Sequence, residues 1–350
     1  FEFLNQPDIL QVAVAGPRHW DVAVRLLMAG LPQEKLIHWE DPHQAAAALE
    51  VEAPDTVFVL YDLYSVDLAK EVKGKLLQRM ALLPPKEKKY QKNTQTVVAF
   101  LKLLCYNTRK NPIRRQRTMK IEILFPEFCN LYGDLANMDY LRRCLPQAEF
   151  VETSLQEEPL LAREKVDMVY LGPMTERLQE AVLEKLRPLR ARIWELIDQD
   201  TLFLCTGNAL ELFGQYIVKE DGSRLECLSL FPLYAQRDMM HRHNSVFLGS
   251  FEGKAVMGFK SQFTFATPLS QQIALFPVEK GVGLNKKCPF EGVRYRNFFG
   301  TYLLGPLLIN NPHFTRFLLD RLGARSAPLA LEEQVQAAYE KRLADCKAKA

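Results

Sequence analysis

The seven cysteines include no C-x-x-C pair, and their odd number cannot close into a complete disulfide set. A disulfide framework and a zinc ribbon are therefore not expected, nor is a metal site, and a reducing compartment, the cytoplasm, fits this usage. Membrane-spanning apolar runs are missing, as is the basic, apolar and small-residue order of a signal peptide at the N-terminus. Charge of one sign is not in excess either: 45 Lys and Arg against 42 Asp and Glu leave a net charge of +3. What is present is 48% hydrophobic and 25% charged residues over 350 positions, the make-up of a globular protein long enough for two cores. The first residue is Phe1 rather than Met, so the sequence reads as part of a longer polypeptide.

Strand and helix signals alternate through the first eighty or so residues. ILQVAVAG (9–16) is an apolar run closed by Gly16, and HWDVAVRLLMAG (19–30) places Val22, Val24, Leu26 and Leu27 at helical spacing before Gly30. KLIHW (35–39) predicts a second strand. DPHQAAAALE (41–50) predicts a helix with Asp41 as N-cap and Pro42 at its first position. DTVFVLYD (55–62) predicts a third strand, followed by a helix from Ser65 to Met80. Repeated alternation of this kind builds a small parallel α/β unit, here over 1–83.

The rhythm breaks over 84–118. Two prolines open this segment, and Lys86, Lys88, Lys89, Lys92, Arg109, Lys110, Arg114, Arg115 and Arg117 surround a short apolar stretch that predicts one helix from Thr96 to Tyr106. Clustered positive charge attracts phosphates, which is the nucleic-acid reading. A charge run is more often a solvated linker, and a basic linker with no nucleic-acid partner is the expectation.

A second α/β pattern starts at Met119. MKIEILF predicts a strand, DLANMDYLRRCL a helix, AEFVETSL and VDMVYLG two further strands, and 175–198 one long amphipathic helix capped by Thr175. Beyond Gly214 the strands become shorter, as in SVFLGSF, AVMGFKSQFTFA and GTYLLGPLL, with Gly and polar turns between them. The expected product is a mixed sheet with a mainly parallel core over 119–325, then a polar helix over 326–350.

TLFLCTGNALELFG (201–214) joins an apolar strand to a tight turn and the start of a helix. Many hydrolases expose a reactive Ser or Cys on such a turn. Cys205 stands where the strand ends, and two readings are open: a nucleophile, or a buried strand residue, the usual position of a free cysteine. No basic residue adjoins it in sequence to lower its pKa.

Four phrases carry a resemblance: NLYGDLANMDYLRRC (130–144), GPMTERLQ (172–179), TGNALELFG (206–214) and GTYLLGPLL (300–308). In order and spacing they resemble a type 1 glutamine amidotransferase of the cobyric-acid-synthase-like group, specifically the glutaminase subunit family of lipid II isoglutaminyl synthase. The resemblance covers roughly 119–322. It implies a class I glutamine amidotransferase-like, flavodoxin-like α/β sheet with helices on both faces. VAVAGPRHWDVAVRLLMAGL (12–31) and VFVLYDLYS (57–65) look like the C-terminal domain of that enzyme's Mur-ligase-like subunit. In the family this subunit activates the substrate carboxylate with ATP, and the glutaminase supplies ammonia to amidate the D-glutamate of the peptidoglycan stem. The resemblance therefore implies bacterial cell-wall precursor amidation, a Mur-ligase-like partner, and L-glutamine as ligand if the site is active. No cofactor is implied in this chain, because ATP belongs to the Mur-ligase central domain that the sequence lacks.

Within these matched phrases the catalytic positions are altered. A glutaminase of this kind needs a thiolate, a histidine to move a proton, a carboxylate to orient the histidine, and N–H groups to hold the oxyanion. The family elbow reads C-G-G-Y-Q-x-L-G. An ungapped match ending at Gly214 puts Gly207 at the cysteine, Asn208 and Ala209 at the glycine pair and Glu211 at the glutamine; a two-residue shift would restore Cys205. Leu304 stands at the histidine of G-T-Y-L-H-G-P, with His241, His243 and His313 as the other histidines of the second half, and His313 reads as a surface residue. The triad carboxylate, contributed in the family by the Mur-ligase-like subunit, corresponds to Asp21, which is equally a plain helix-surface aspartate. After Gly172 in the oxyanion loop, Pro173 and Met174 replace glycines, and proline has no N–H to donate. Arg242 lies near the family's arginine for the glutamine carboxylate, and Gln262 stands where a histidine would be. The expectation is an amidotransferase-like component of lipid II amidation with a degenerate glutaminase site, a pseudoenzyme. The alternative is a catalytically inert scaffold or metabolite-binding domain beside a Mur-ligase-like subunit.

Overall fold

Leu26 and Leu27, two of the residues that predicted the first helix, are buried in α1 (His19–Met28), which follows strand β1 (Val12–Ala15). The computed structural model describes residues 9–16, 19–50, 66–81 and 118–348. Its contacts divide the chain into two units, Phe1–Ile113 and Arg114–Ala350. In the first, β1 pairs in parallel with β2 (Leu36–Trp39). Helix α2 (Pro42–Ala48) begins as its sequence requires: Asp41 accepts a hydrogen bond from the His43 backbone N–H at 2.9 Å, and Pro42 sits in the first turn, where no N–H is needed. Helix α3 (Val66–Ala81) packs Val72 and Leu76 with Ala46 of α2. The strand expected over 55–62 and the linker with its helix over 96–106 lie outside the described residues.

The second unit continues the alternation with β3 (Lys120–Leu124), α4 (Ala136–Cys144), β4 (Glu149–Thr153), β5 (Met168–Leu171), α5 (Glu176–Leu186), α6 (Arg190–Asp198) and β6 (Leu202–Thr206). Then come β7 (Tyr216–Val218), β8 (Arg224–Glu226), β9 (Leu233–Arg237), β10 (His243–Phe251), β11 (Lys254–Gln262), β12 (Thr264–Pro268), β13 (Ala274–Lys280), β14 (Phe290–Tyr295) and β15 (Phe298–Thr301). Helices α7 (Leu307–Asn310), α8 (Pro312–Arg321) and α9 (Glu332–Ala348) close the chain. The main sheet runs β11-β10-β13-β14-β15-β6-β5-β3-β4. From β15 to β4 every pairing is parallel, and from β15 to β11 every pairing is antiparallel. Strands β5 and β6 are buried along their whole length, which is why they read as continuous apolar runs rather than alternating ones. A smaller sheet, β12-β9-β7-β8, stands apart from the first.

Two expectations about helices are corrected. Residues 175–198 do not form one helix: α5 ends at Leu186, and a 3-10 turn, Arg187–Leu189, separates it from α6. Pro188 lies in that turn and cannot donate the next helical hydrogen bond. Thr175 does cap α5, its hydroxyl accepting from the Leu178 N–H at 3.3 Å. The terminal helix starts at Glu332 rather than at 326 and is not polar all round, since Val335 and Ala338 are buried and the Tyr339 hydroxyl donates to the Ala255 carbonyl at 3.0 Å. Among the described residues, no helix is long and apolar enough to cross a membrane.

Candidate functional site

Strands β5, β6 and β15 end side by side, with Leu171 and Gly300 both in register with Cys205, and Thr301 with Thr206. The segments that leave them therefore converge: Pro173 and Met174 after β5, Gly207 and Asn208 after β6, Tyr302 and Leu304 after β15. This is the crevice at the carboxyl ends of parallel strands where α/β sheets hold ligands. The turn between β11 and β12 adds Gln262, Phe263 and Thr264, and Arg242 completes the wall of a pocket of about 320 Å³.

The elbow in this crevice is Gly207, with φ +59, a backbone conformation that glycine adopts at no steric cost. A Cβ built at Gly207 would lie 2.5 Å from Pro173 Cβ and 3.3 Å from Leu304 Cδ2. The position matched to the family's cysteine thus faces the position matched to its histidine. Pro173 occupies the space a nucleophile's side chain would need, and Leu304 offers only methyl groups. The helix expected after the elbow is a seven-residue 3-10 segment, Gly207–Phe213.

Cys205 lies inside β6, fully buried, in the hydrophobic cluster that also holds Leu171, Phe203 and Ala209. Burial pushes its thiol well above the ordinary cysteine range, opposite to the shift a nucleophile needs. His241, His243 and His313 do not line the pocket. His241 is exposed and meets Asp238 at 2.9 Å, while the His243 Nε2 meets Ser245 Oγ at 2.9 Å. His313 is not a surface residue as expected; it is half-buried edge-on to Tyr339 of α9, and burial lowers its pKa to about 4. Among the described cysteines, alkylation of the native protein, read by peptide mass mapping, is expected to reach the partly exposed Cys288 and Cys346 first and Cys205 only on unfolding. Modification of Cys205 at the rate of an exposed thiol would contradict this placement.

The loop after β5, matched to the family's oxyanion loop, is tied to the elbow by Asn208. Pro173 has no N–H, and the Met174 N–H donates to Asn208 Oδ1 at 3.0 Å while Asn208 Nδ2 donates back to the Met174 carbonyl at 2.8 Å. The Met174 N–H is therefore already paired and not free to donate into the pocket. Gly172, expected at the ligand, is behind the wall instead: a Cβ there would run into the Cys129 carbonyl oxygen. Arg242 and Gln262 do line the pocket. Asp21 lies in the first turn of α1, half-buried, in the first unit.

Sequence reasoning did not find the polar chain behind the pocket. Glu211 is fully buried; its Oε1 accepts from the Tyr302 hydroxyl at 2.9 Å and its Oε2 from Gln179 Nε2 at 2.8 Å. Gln179 Oε1 in turn accepts from Arg237 at 2.9 Å. Burial raises the Glu211 carboxyl to about 7, from an ordinary 4.5. The folded protein thus holds a proton that the unfolded chain releases between about pH 4.5 and 7, so stability falls as pH rises through that window, by about 3 kcal/mol. Glu211→Gln is expected to flatten this slope and to raise stability at pH 8, as read by urea unfolding at several pH values.

A parallel α/β core, a tight elbow at a strand end and a pocket above it define a class I glutamine amidotransferase-like domain. The chain belongs to the CobB/CobQ-like glutamine amidotransferase domain family, whose model matches residues 120–312. Residues 1–65 match the MurT ligase C-terminal family. Similar proteins include the Staphylococcus aureus (strain N315) lipid II isoglutaminyl synthase (glutamine-hydrolyzing) subunit GatD, 24% identical over 199 residues, which are 55% of this chain and 79% of that one. The subunit of the same name from Streptococcus pneumoniae (strain ATCC BAA-255 / R6) is 26% identical over 203 residues, 55% of this chain and 76% of its own. A solved structure described as a glutamine amidotransferase aligns with 58% of this chain and 98% of its own at 12% identity and a TM-score of 0.40.

Proposed function

We propose that this chain is a glutamine amidotransferase-like component of a cytoplasmic lipid II amidating system, that it has lost glutamine hydrolysis, and that it serves a Mur-ligase-like partner as a scaffold. The partner and substrate class are supported by the two GatD relatives and by the MurT-like match over residues 1–65. The observation that carries the loss of hydrolysis is the filled elbow: Gly207 has no side chain, and Pro173 and Leu304 take the place of the nucleophile and of the base beside it. Without a thiolate and a proton shuttle at one point, the amide of glutamine has no route to ammonia. ATP, on this reading, is bound by the partner's central domain.

The test supplies the chain with a Mur-ligase-like subunit, ATP and lipid II, and offers nitrogen either as ammonium or as L-glutamine. The amidated product is expected with ammonium alone. Amidation from glutamine that disappears in Cys205→Ala would overturn the reading.

A further inference from the structure

A groove of about 750 Å³ in the second unit shares no residue with the pocket described above. Its floor is apolar: Phe265 and Leu269 come from β12 and the turn after it, Pro289 and Phe290 from the start of β14. Leu269 is 56% exposed, a large apolar side chain left open to water. Lys286 and Lys287, both exposed, line the same groove. Neither meets a carboxylate among the described residues, and no Asp or Glu among them lines the groove. The loop that carries the lysines is fixed in place. At its base the buried Lys260 Nζ donates to the Gly283 carbonyl at 2.6 Å, and across its neck the Leu284 N–H donates to the Phe290 carbonyl at 2.9 Å. Asn285 Oδ1 accepts from the Lys287 N–H at 2.9 Å, while its Nδ2 donates to the Ala266 carbonyl of β12 at 2.8 Å.

We propose that this groove binds an anionic amphiphile, with a phosphate or diphosphate head on Lys286 and Lys287 and a hydrocarbon chain along Phe265, Leu269, Pro289 and Phe290. Two ammonium groups lining one groove match a head of more than one negative charge, which a single carboxylate is not. The rest of the groove favours hydrocarbon over peptide. Strand β12 is at the edge of its sheet, and the Leu269 N–H and the Phe263 carbonyl bond across to Pro232 and Asp238. By the alternation of an antiparallel ladder, Thr264, Ala266 and Pro268 turn their backbone groups to the open edge. There the Thr264 carbonyl is taken by Gln262 Nε2 and the Ala266 carbonyl by Asn285, and Pro268 has no N–H. An extended peptide finds too few partners for a ladder. These devices already guard the edge, which leaves the lysines and the exposed leucine free for a ligand. The proposal concerns a site separate from the elbow and does not depend on the loss of hydrolysis.

The test is calorimetric titration of the full chain with farnesyl diphosphate, below the concentration at which it forms micelles, beside inorganic diphosphate and hexaglutamate. Farnesyl diphosphate is expected to bind about tenfold or more tightly than inorganic diphosphate, since burying about two methylene groups accounts for that factor. Lys286→Ala with Lys287→Ala should weaken both diphosphates by about tenfold, and both affinities should fall as salt rises. Leu269→Ser should weaken farnesyl diphosphate and leave inorganic diphosphate unchanged. All three side chains are exposed, so the variants keep the fold, which circular dichroism checks. No binding of farnesyl diphosphate, or an affinity unchanged in the lysine variant or in Leu269→Ser, would overturn the proposal. Inorganic diphosphate binding as tightly would overturn it in favour of a free phosphate, and hexaglutamate binding as tightly would overturn it in favour of an acidic peptide.

Discussion

Replacing Gly207 with cysteine is expected to destabilise the second unit and to restore no glutamine hydrolysis. The backbone at this position has φ +59, and an L-residue held in the left-handed region costs about 1–2 kcal/mol. The new Cβ would also lie 2.5 Å from Pro173 Cβ, and overpacking of this kind costs about 1–3 kcal/mol more. Together these give an expected loss of about 2–5 kcal/mol, readable as a lower urea midpoint with an unchanged slope. The double variant with Pro173→Gly removes the clash, so part of the loss should return, a coupling that independent sites would not show. On the proposed loss of hydrolysis no activity is expected even there, because Leu304 still stands at the position matched to the base and cannot take a proton. A stable, unstrained Gly207→Cys protein would mean that the elbow is more open than described.

Lys260→Met should have an effect of similar size for a different reason. Lys260 and Glu291 are both fully buried, with Lys260 Nζ 2.6 Å from Glu291 Oε2 and 2.6 Å from the Gly283 carbonyl. Removing one partner of a buried pair leaves a charge with no counter-charge, and such losses are about 3–5 kcal/mol. Glu291 also accepts from the Tyr302 N–H at 2.7 Å and the Thr301 hydroxyl at 3.0 Å, so the pair holds the residue whose hydroxyl binds Glu211. In the double variant with Glu291→Gln the stranded charge is gone while an amide oxygen remains for Tyr302. It should therefore be more stable than Lys260→Met alone, by chemical denaturation. A Lys260→Met protein as stable as the parent would contradict the pairing.

The parts of this fold that were legible in the sequence are those set by local rules. Asp41 with Pro42, and Thr175 ahead of an amphipathic run, announce helix starts because capping acts within three residues. The buried strands announce themselves as unbroken apolar runs. The break at Pro188 is missed because the helical periodicity on either side of it masks the missing N–H. At the site, the ungapped match puts Gly207 at the family's cysteine position, and the structure gives that residue a φ of +59 at the end of β6. What the sequence does not reveal is tertiary. Glu211 and Tyr302 stand 91 positions apart, and Lys260 and Glu291 stand 31 apart, so no local spacing connects them. Gly172 was misplaced for the same reason: whether a loop glycine faces a ligand or a neighbouring backbone depends on Cys129, which comes from another segment.

On the proposed reading, the glutaminase chemistry has been lost from a retained fold. Ammonia release from L-glutamine by the purified chain tests it most directly, alone and with a Mur-ligase-like subunit, beside a Cys205→Ala control. The account predicts no release above the control in either condition. Release that vanishes in Cys205→Ala would make that buried thiol the nucleophile and contradict the account.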